Sequence, residues 1–349
     1  MECKSALSIV FLAACAAFPC HADDTPYAVI DWPSRFNPDV VTLGNDEFLL
    51  LTDQAMQVWN ARTKAMIPAS GWPRRTGIGA QWGRLAGGTV VAGKSHTEEL
   101  DLPFASLMWW NPQSHRFAPP LVLPPGSNVR RLVPIDGQQV LACLATNWPR
   151  KESDPETNRA VLLRVSGGAL QMDAAAPAPA VRAALLAAGV RGTIDGVPLG
   201  EAPREPGTAP VTFDTASCSW KVGQLPRQAN QKRPSEFRPY YLSKGAVVIV
   251  TDDNTPALLW DKTTRAWRAL PPASDIGMQG NYGPTDPLVR GRDSYVEQFD
   301  PATMRWALNG KRLPDSYMPI LAPMSNGQTV VFLREQGRVM LLPPFPPPR

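Results

Sequence analysis

The sequence predicts an all-β fold, a β-propeller built from a repeated four-stranded unit. In each copy an aromatic residue followed by Asn or Asp opens a polar turn, and a second large apolar residue follows seven positions after the first. Five copies have this spacing: Trp59 to Met66, Trp110 to Phe117, Phe213 to Trp220, Trp260 to Trp267 and Phe299 to Trp306. A sixth, weaker copy joins Leu163 to Leu170 through Ser166-Gly167-Gly168. The leading residues lie 39 to 53 positions apart, close to the length of one propeller blade.

Hairpins between the aromatic copies supply the other two strands of each unit. The paired apolar segments are 39–43 with 47–51, 129–135 with 139–144, 239–242 with 246–250, and 317–321 with 328–333. Gly, Asn or Asp lies between the two members of each pair, and these residues tolerate the positive φ of tight hairpins. Each unit therefore has four strands.

The two ends of the chain complement each other. Residues 27–33 resemble the second half of a unit without its first half, whereas 329–333 and 338–342 are two strands with no aromatic partner after them. An N-terminal strand that completes the last blade would close the ring and remove its exposed edges. We therefore predict seven four-stranded blades, with the ring closed by the N-terminal strand.

The aromatic copies resemble the kelch family, of the type that forms the central propeller of galactose oxidase. Phe299-Asp300-Pro301-Ala302-Thr303-Met304-Arg305-Trp306 and the copy at Trp260 fit the family's aromatic-Asp turn and its tryptophan seven residues later. The resemblance covers about residues 26–344 and implies a kelch-type propeller in an exported bacterial protein. The double glycine that usually ends the second kelch strand is absent, with Gly93-Lys94 and Thr251-Asp252 in its place.

Residues around 173–210 fit the repeat worst. An Ala-Pro repetition at 174–180 precedes a predicted short helix at 181–188 with Gly189 as its stop, and 192–199 is predicted to supply inner strands of the fourth blade. The predicted map is a signal peptide at 1–22, a kelch-like propeller at 23–344 with an Ala/Pro-rich insertion around 173–210, and a Pro-rich tail at 345–349.

The N-terminus resembles an export signal. Lys4 supplies a positive charge, 6–18 is apolar, and Ala22 is a small residue at the cleavage position. The alternative is a lipoprotein signal with a lipid anchor at Cys15. No other apolar stretch approaches the roughly 20 residues that cross a bilayer. We expect a periplasmic or secreted protein, or an outer-membrane lipoprotein if Cys15 is lipidated.

Cleavage after Ala22 leaves two cysteines. Cys143 lies in a predicted strand and Cys218 in a predicted turn of another blade, so we expect two free thiols, with a disulfide as the alternative that export permits. The charge of +4 comes from 35 basic and 31 acidic residues spread along the chain, and no basic run predicts nucleic-acid binding.

Several arginines come just before predicted first strands: Arg35, Arg74, Arg75, Arg130, Arg131 and Arg238. The kelch resemblance implies that these positions share one face, around the mouth of the central channel. Guanidinium groups in such a mouth favour carboxylate, sulfate or phosphate groups through bidentate hydrogen bonds. The alternative is that they are solvated or paired with carboxylates of neighbouring loops.

Two long loops are predicted on the same face, and long loops on a rigid scaffold often carry binding residues. Their polar and aromatic residues are His96, Glu98, Glu99 and Asp101 in the first, and Trp148, Arg150, Lys151, Glu152 and Asp154 in the second. Trp148 beside Arg150 could stack on a sugar ring, or Trp148 could pack against its own blade.

Catalytic and metal signals are weak. After signal removal the histidines are His96 and His115, no spacing predicts a zinc or iron site, and no cofactor is expected. The copper ligands of galactose oxidase cannot be matched on one face. His96 with Glu98 is the one acid/base pair to consider.

We therefore expect a binding module for a glycan or a cell-envelope protein rather than an enzyme, with the Arg-lined mouth and the two loops as its surface. The alternative is a carbohydrate-active enzyme such as a sugar-acid epimerase or mutarotase.

Overall fold

The structure is a computed structural model of the chain. The described residues are 27–29, 39–51, 56–72, 77–85, 88–94, 105–135, 139–147, 155, 157–173, 177–200, 208–226, 237–241, 247–251, 258–269, 289–292, 295–300, 303, 305–313, 320–324, 326–333 and 338–344. They form mostly antiparallel sheets of strands close together in the chain, and the described residues include one short helix.

The first three sheets follow a short N-terminal strand, β1 (Tyr27–Val29). The first sheet consists of β2 (Asp39–Gly44), β3 (Glu47–Leu51), β4 (Met56–Asn60) and β5 (Ala65–Ile67). The second consists of β6 (Gly77–Leu85), β7 (Gly88–Lys94), β8 (Ala105–Asn111), β9 (Arg116–Phe117) and β10 (Leu121–Val122), the last two both paired with β8. The third consists of β11 (Asn128–Pro134), β12 (Gln139–Ala145), β13 (Asn158–Ser166) and β14 (Ala169–Asp173).

The region of the fourth sheet begins with helix α1 (Pro179–Ala187). Its short strands are β15 (Val190–Arg191), β16 (Thr193–Ile194), β17 (Val197–Pro198), β18 (Val211–Asp214) and β19 (Ser219–Val222). The fourth sheet has the order β15-β18-β19, and β16 pairs with β17 in a separate hairpin.

The remaining sheets return to the regular order. The fifth consists of β20 (Phe237–Tyr241), β21 (Val247–Thr251), β22 (Leu258–Asp261) and β23 (Ala266–Ala269), and the sixth of β24 (Val289–Arg292), β25 (Tyr295–Asp300) and β26 (Arg305–Arg312). The last sheet consists of β27 (Ile320–Pro323), β28 (Thr329–Leu333) and β29 (Arg338–Leu342). β1 adds to its edge, with Ala28 opposite Val339.

The aromatic copies form hairpins, as the sequence predicts. The two large apolar residues of each copy lie directly opposite each other in Trp59/Met66, Trp110/Phe117, Phe213/Trp220, Trp260/Trp267 and Phe299/Trp306. The sixth copy differs, because Gly167 and Gly168 make a two-residue turn in which both φ angles are positive. Leu170 therefore lies opposite Val165 and not Leu163.

Each aromatic hairpin turns around its Asn or Asp side chain. Asn60 Oδ1 accepts the backbone N–H groups of Arg62 at 2.9 Å and Thr63 at 3.0 Å, which satisfies two donors that the turn leaves unpaired. The same kind of bond to a turn N–H is made by Asn111, Asp214, Asp261 and Asp300. The fourth turn residue has a positive φ of 49° to 55° in Lys64, His115, Cys218 and Arg265.

Apolar cores lie between the faces of consecutive sheets. Such cores join the first sheet to the second, the second to the third, the third to the fourth, the fourth to the fifth, and the sixth to the last. A further core joins the first and last sheets, where Trp59 packs against Phe332 with ring centroids 6.1 Å apart. Antiparallel meanders stacked face to face are the architecture of a β-propeller, so the predicted all-β propeller is confirmed.

The segment that leaves one sheet packs on the outer strand of the next. Phe117 donates its backbone N–H to the Ser70 carbonyl at 2.9 Å, and Trp267 donates its indole N–H to the Gly223 carbonyl at 2.9 Å. Gly71 has a φ of +95°, and a Cβ there would lie 2.4 Å from the Phe117 carbonyl oxygen. The second large residue of an aromatic copy thus holds the connection from the preceding sheet, and glycine allows this close approach.

The fourth sheet departs from the repeat. The helix predicted at 181–188 is present as α1, and Gly189 follows it with a φ of 83°. The prediction that 192–199 supplies inner strands of this sheet is wrong, because β16 and β17 pair only with each other. β15 takes the place beside β18 instead and runs parallel to it.

Cys143 and Cys218 form a disulfide, so the expectation of two free thiols is wrong. The two residues do lie in different sheets, as predicted. The third and fourth sheets pack face to face, however, and this brings the β18–β19 turn over β12, with the two Cα atoms 5.7 Å apart. The bridge spans 75 residues of sequence, and the chain-entropy model assigns about 4 kcal/mol to closing such a loop.

We predict that Trp260→Ala lowers the free energy of unfolding by about 3–5 kcal/mol, because Trp260 is 2% exposed in the core between the fourth and fifth sheets. The matched control is Met66→Ala, since Met66 belongs to another aromatic copy but is 40% exposed. Its change should stay within about 0.5 kcal/mol. Urea unfolding measures both, and equal effects would contradict the structural role of the aromatic copies.

Candidate functional site

The predicted mouth arginines that the structure describes lie on first strands. Arg130 and Arg131 belong to β11, the first strand of the third sheet, and Arg238 belongs to β20, the first strand of the fifth. They lie inside these strands and not just before them as predicted, because β11 and β20 begin two and one residues earlier than Arg130 and Arg238. Arg35, Arg74 and Arg75 lie outside the described residues.

A β-bulge coincides with the arginine pair on β11. The pairing of β11 with β12 shifts between Val129 and Arg131, so Arg130 is the extra residue. The Arg130 side chain is exposed, whereas Arg131 is half-buried. A bulge bends its strand and changes the direction of a side chain, which is one way in which proteins present a functional residue.

The long loop after β12 leaves from a closed neck. Thr146 donates its backbone N–H to the Thr157 carbonyl at 2.9 Å, and the Asn147 side-chain amide donates to the Pro155 carbonyl at 2.7 Å. These bonds fix the two ends of the loop on the third sheet. Trp148 and Arg150 themselves, like His96 and Glu98 of the other loop, lie outside the described residues.

A buried carboxylate that sequence reasoning missed lies between the first and second sheets. Glu47 begins β3, and its side chain is 4% exposed. It accepts the Trp110 indole N–H at 3.2 Å, and its other oxygen lies 3.1 Å from Nε2 of His115. His115 also stacks on Trp110 with 21° between the ring planes. The group ties the turn of the second sheet to the first sheet.

A second buried carboxylate lies next to this one. Asp46 is 5% exposed, and its carboxylate accepts the Arg62 Nε–H at 2.7 Å. Burial of a carboxylate is costly unless charged or polar donors satisfy it, and both residues meet that condition. The only sequence signal is a Glu at the start of the apolar strand β3, since the partners His115 and Trp110 are more than 60 positions away.

Charged groups also fix the hairpin β16–β17 on the third sheet. Arg159 of β13 pairs with Asp195, its Nε lying 2.8 Å from the Asp195 carboxylate. The Asp195 backbone N–H donates to the Ala160 carbonyl at 2.8 Å. The hairpin is therefore positioned beside the neck of the 146–157 loop, because Ala160 of β13 lies three residues after Thr157.

The turn of the aromatic copy at Trp260 lowers the pKa of its aspartate. The pKa of Asp261 lies below its usual value, first because its carboxylate accepts the Thr264 backbone N–H and next because it accepts that of Thr263. Burial opposes the shift, and Arg268, at 3.4 Å, adds a smaller lowering effect. A carboxylate that accepts hydrogen bonds is stabilised in its charged form.

Within the described ranges, no three His, Cys, Asp or Glu side chains come together as metal ligands would. The same ranges contain no helix with the length and apolar character needed to span a bilayer. The described part offers one exposed guanidinium on a first strand, that of Arg130, and one closed loop base at Thr146 and Asn147.

No family model and no curated protein matches the chain. Among solved structures the chain is similar to YCF48 bound to a D1 peptide, with 11% identity, 91% of this chain and 96% of that chain covered, and a TM-score of 0.49. It is also similar to the β-propeller domain of Myceliophteria thermophila Cps50 (Swd1), with 8% identity, coverages of 87% and 96%, and a TM-score of 0.42. A third is the extracellular domain of BT3049 from B. thetaiotaomicron, with 8% identity, coverages of 90% and 39%, and a TM-score of 0.45. The propeller assignment therefore rests on the sheets of this chain.

We predict that Asp261→Asn keeps the turn and removes part of the acid sensitivity. Asn60 and Asn111 already make the same two N–H bonds in neutral form. Because folding lowers the pKa of Asp261, its contribution to stability is present above the unfolded pKa of about 4 and is lost as the pH falls through the lower folded pKa. Urea unfolding of both proteins from pH 6 to pH 2.5 measures this.

Asn60→Asp is the matched control and should add the same dependence to the first sheet. If Asp261→Asn loses stability at pH 6 and falls with acid as steeply as the unchanged protein, the Asx-turn explanation of the pKa shift is wrong.

Proposed function

We propose that this chain is an exported propeller of seven kelch-type blades that acts as a binding module for a glycan or a cell-envelope protein. Its binding surface is the mouth of the channel, with the arginines of the first strands and the two long loops. The kelch resemblance of the aromatic copies carries the subfamily assignment. The propeller would occupy about 23–344, with the signal peptide before it and the Pro-rich tail after it.

The cores between sheets support the closed seven-bladed ring. The first sheet packs against both the second and the last sheet, and β1 is the outer strand of the last sheet. A core shared by the first and last sheets supports a closed ring over an open array.

The disulfide supports export. Disulfides persist in oxidising compartments and are rare where glutathione and thioredoxin keep thiols reduced. The bridge joins Cys143 and Cys218, which are the cysteines that remain after cleavage at Ala22. A periplasmic or secreted location fits both the bridge and the N-terminal signal, and lipidation at Cys15 would add a membrane tether.

The main support for the channel mouth as the binding surface is the bulge at Arg130 on the first strand β11. A first strand lines the channel in a propeller, and here such a strand exposes a guanidinium group. A guanidinium pairs with planar anionic groups, which favours an acidic glycan or an acidic protein surface as the partner. The closed neck at Asn147 would present Trp148 and Arg150 from a fixed base beside it.

We predict that an acidic or sulfated sugar raises the melting temperature of the mature protein, residues 23–349, because a ligand that binds only the folded state stabilises it. The panel contains neutral sugars, acidic sugars, sugar phosphates and sulfated glycans. The shift should shrink at 0.5 M salt, since exposed charges are screened. The triple variant Arg74→Ala, Arg130→Ala, Arg238→Ala should lose the shift.

The matched control is Arg164→Ala, Arg268→Ala, Arg305→Ala, which removes the same charge from exposed positions on third and outer strands. A shift that survives in the mouth variant but not in the control contradicts the mouth as the site. No shift across the panel contradicts the glycan, and a cell-envelope protein whose capture depends on the three mouth arginines would then be the expected partner.

A further inference from the structure

The strand pairing at one edge of the fourth sheet is short. β15 contributes two residues, Val190 opposite Phe213 and Arg191 opposite Asp214, and it runs parallel to β18. In the third sheet, by contrast, β12 pairs with β13 over seven residues. Backbone pairing alone therefore gives the fourth sheet much less support than its neighbour has.

Contacts with the third sheet supply the missing support. Phe213 and Cys218 share a core with Leu141, Cys143 and Leu162 of the third sheet. The Asn158 side-chain amide donates to the Ala216 carbonyl at 3.0 Å, which adds one polar contact from β13 to the β18–β19 turn. The only covalent contact in the described residues is the bridge from Cys143 to Cys218.

The bridge uses a position that is repeated in the fold. Cys218 is the fourth residue of its aromatic turn, with a φ of 49°, and His115 is the fourth residue of the turn in the second sheet, with a φ of 50°. His115 reaches Glu47 on the second strand of the sheet before it, and Cys218 likewise reaches Cys143 on the second strand of the sheet before it. The turn of the fourth sheet is thus joined to the preceding sheet by a disulfide, at the position where the turn of the second sheet uses the polar contact between His115 and Glu47.

We propose that the Cys143–Cys218 bridge is a redox-dependent latch: oxidised, it locks the fourth sheet on the third, and reduced, it lets the fourth sheet open while the other sheets stay folded. The bridge would therefore be a target of thiol–disulfide exchange with an envelope protein that carries a dithiol. This property is independent of what the channel mouth binds.

The exchange is balanced by the partner. When the bridge forms, the thiols of Cys143 and Cys218 lose two electrons and two protons to the disulfide of the partner, which becomes a dithiol. In opening, a partner thiolate attacks one sulfur, a mixed disulfide forms, and the second partner thiol resolves it, leaving two cysteine thiols and the partner's disulfide. No other oxidant or reductant is needed.

Burial determines when the exchange takes place. Cys143 is 0% exposed and Cys218 is 6% exposed, so a protein partner reaches neither sulfur in the closed sheet. The attack requires local opening of the β18–β19 hairpin, and an element with few backbone pairs opens more readily than the global fold. The short strand pairing of the fourth sheet therefore both makes the bridge necessary for its stability and lets a partner thiol reach the sulfur atoms.

The test is hydrogen–deuterium exchange with peptide resolution on the full mature protein, oxidised and after reduction with dithiothreitol, together with Cys143→Ser/Cys218→Ser. Reduction and the double variant should each speed exchange at 211–222 by about tenfold or more, since that hairpin then opens locally. Exchange at 47–51 and 139–145 should change by less than about twofold. Mass spectrometry of alkylated thiols confirms the redox state.

His115→Ala is the matched control, because it removes the polar tether at the equivalent turn position. It should leave exchange at 211–222 unchanged in the oxidised protein. Two results would overturn the latch: exchange at 211–222 that is equally slow in oxidised and reduced protein, or faster exchange in every sheet on reduction. The second would mean that the bridge supports the whole fold and not one sheet.

Discussion

Face-to-face contact between one sheet and the next is the constraint on which the rest of this structure depends. A four-stranded sheet buries only part of its apolar surface within itself, so each sheet needs neighbours on both faces. The aromatic copies provide that surface, with Trp59, Trp110 and Trp260 almost fully buried between sheets. The Asn or Asp that follows each leading aromatic keeps the turn tight by accepting its N–H groups, which holds the second large residue opposite the first.

The turns also connect the sheets. In two of the turns the last residue, which has a positive φ, contacts the second strand of the preceding sheet: His115 meets Glu47, and Cys218 meets Cys143. One backbone geometry thus serves a polar contact in one place and a covalent bond in another. The disulfide occurs at a sheet whose edge strand β15 pairs over only two residues, which gives the bridge a local structural reason.

The features that the sequence predicted are those set by local rules. The hairpins were predictable because apolar segments flank Gly, Asn and Asp, and the aromatic pairs because their spacing sets which residues lie opposite each other. The Cys143–Cys218 bridge and the Glu47 cluster were not, since each depends on how two sheets pack. The prediction of the inner strands of the fourth sheet was wrong because a strand of two residues, such as β15, is too short to show alternation of apolar and polar residues. For the candidate site, sequence reasoning placed the arginines just before first strands. They lie inside β11 and β20 because those strands begin earlier than the apolar pattern indicates.

The packing of sheet on sheet brings the first sheet against the last. A double-mutant cycle between Trp59 of the first sheet and Phe332 of the last, each changed to Leu, measures this contact directly. We expect a coupling energy of about 0.5–1.5 kcal/mol in urea unfolding, the range for an aromatic pair beyond its buried area. Additivity of the two changes within about 0.3 kcal/mol would contradict the packing of the first sheet on the last.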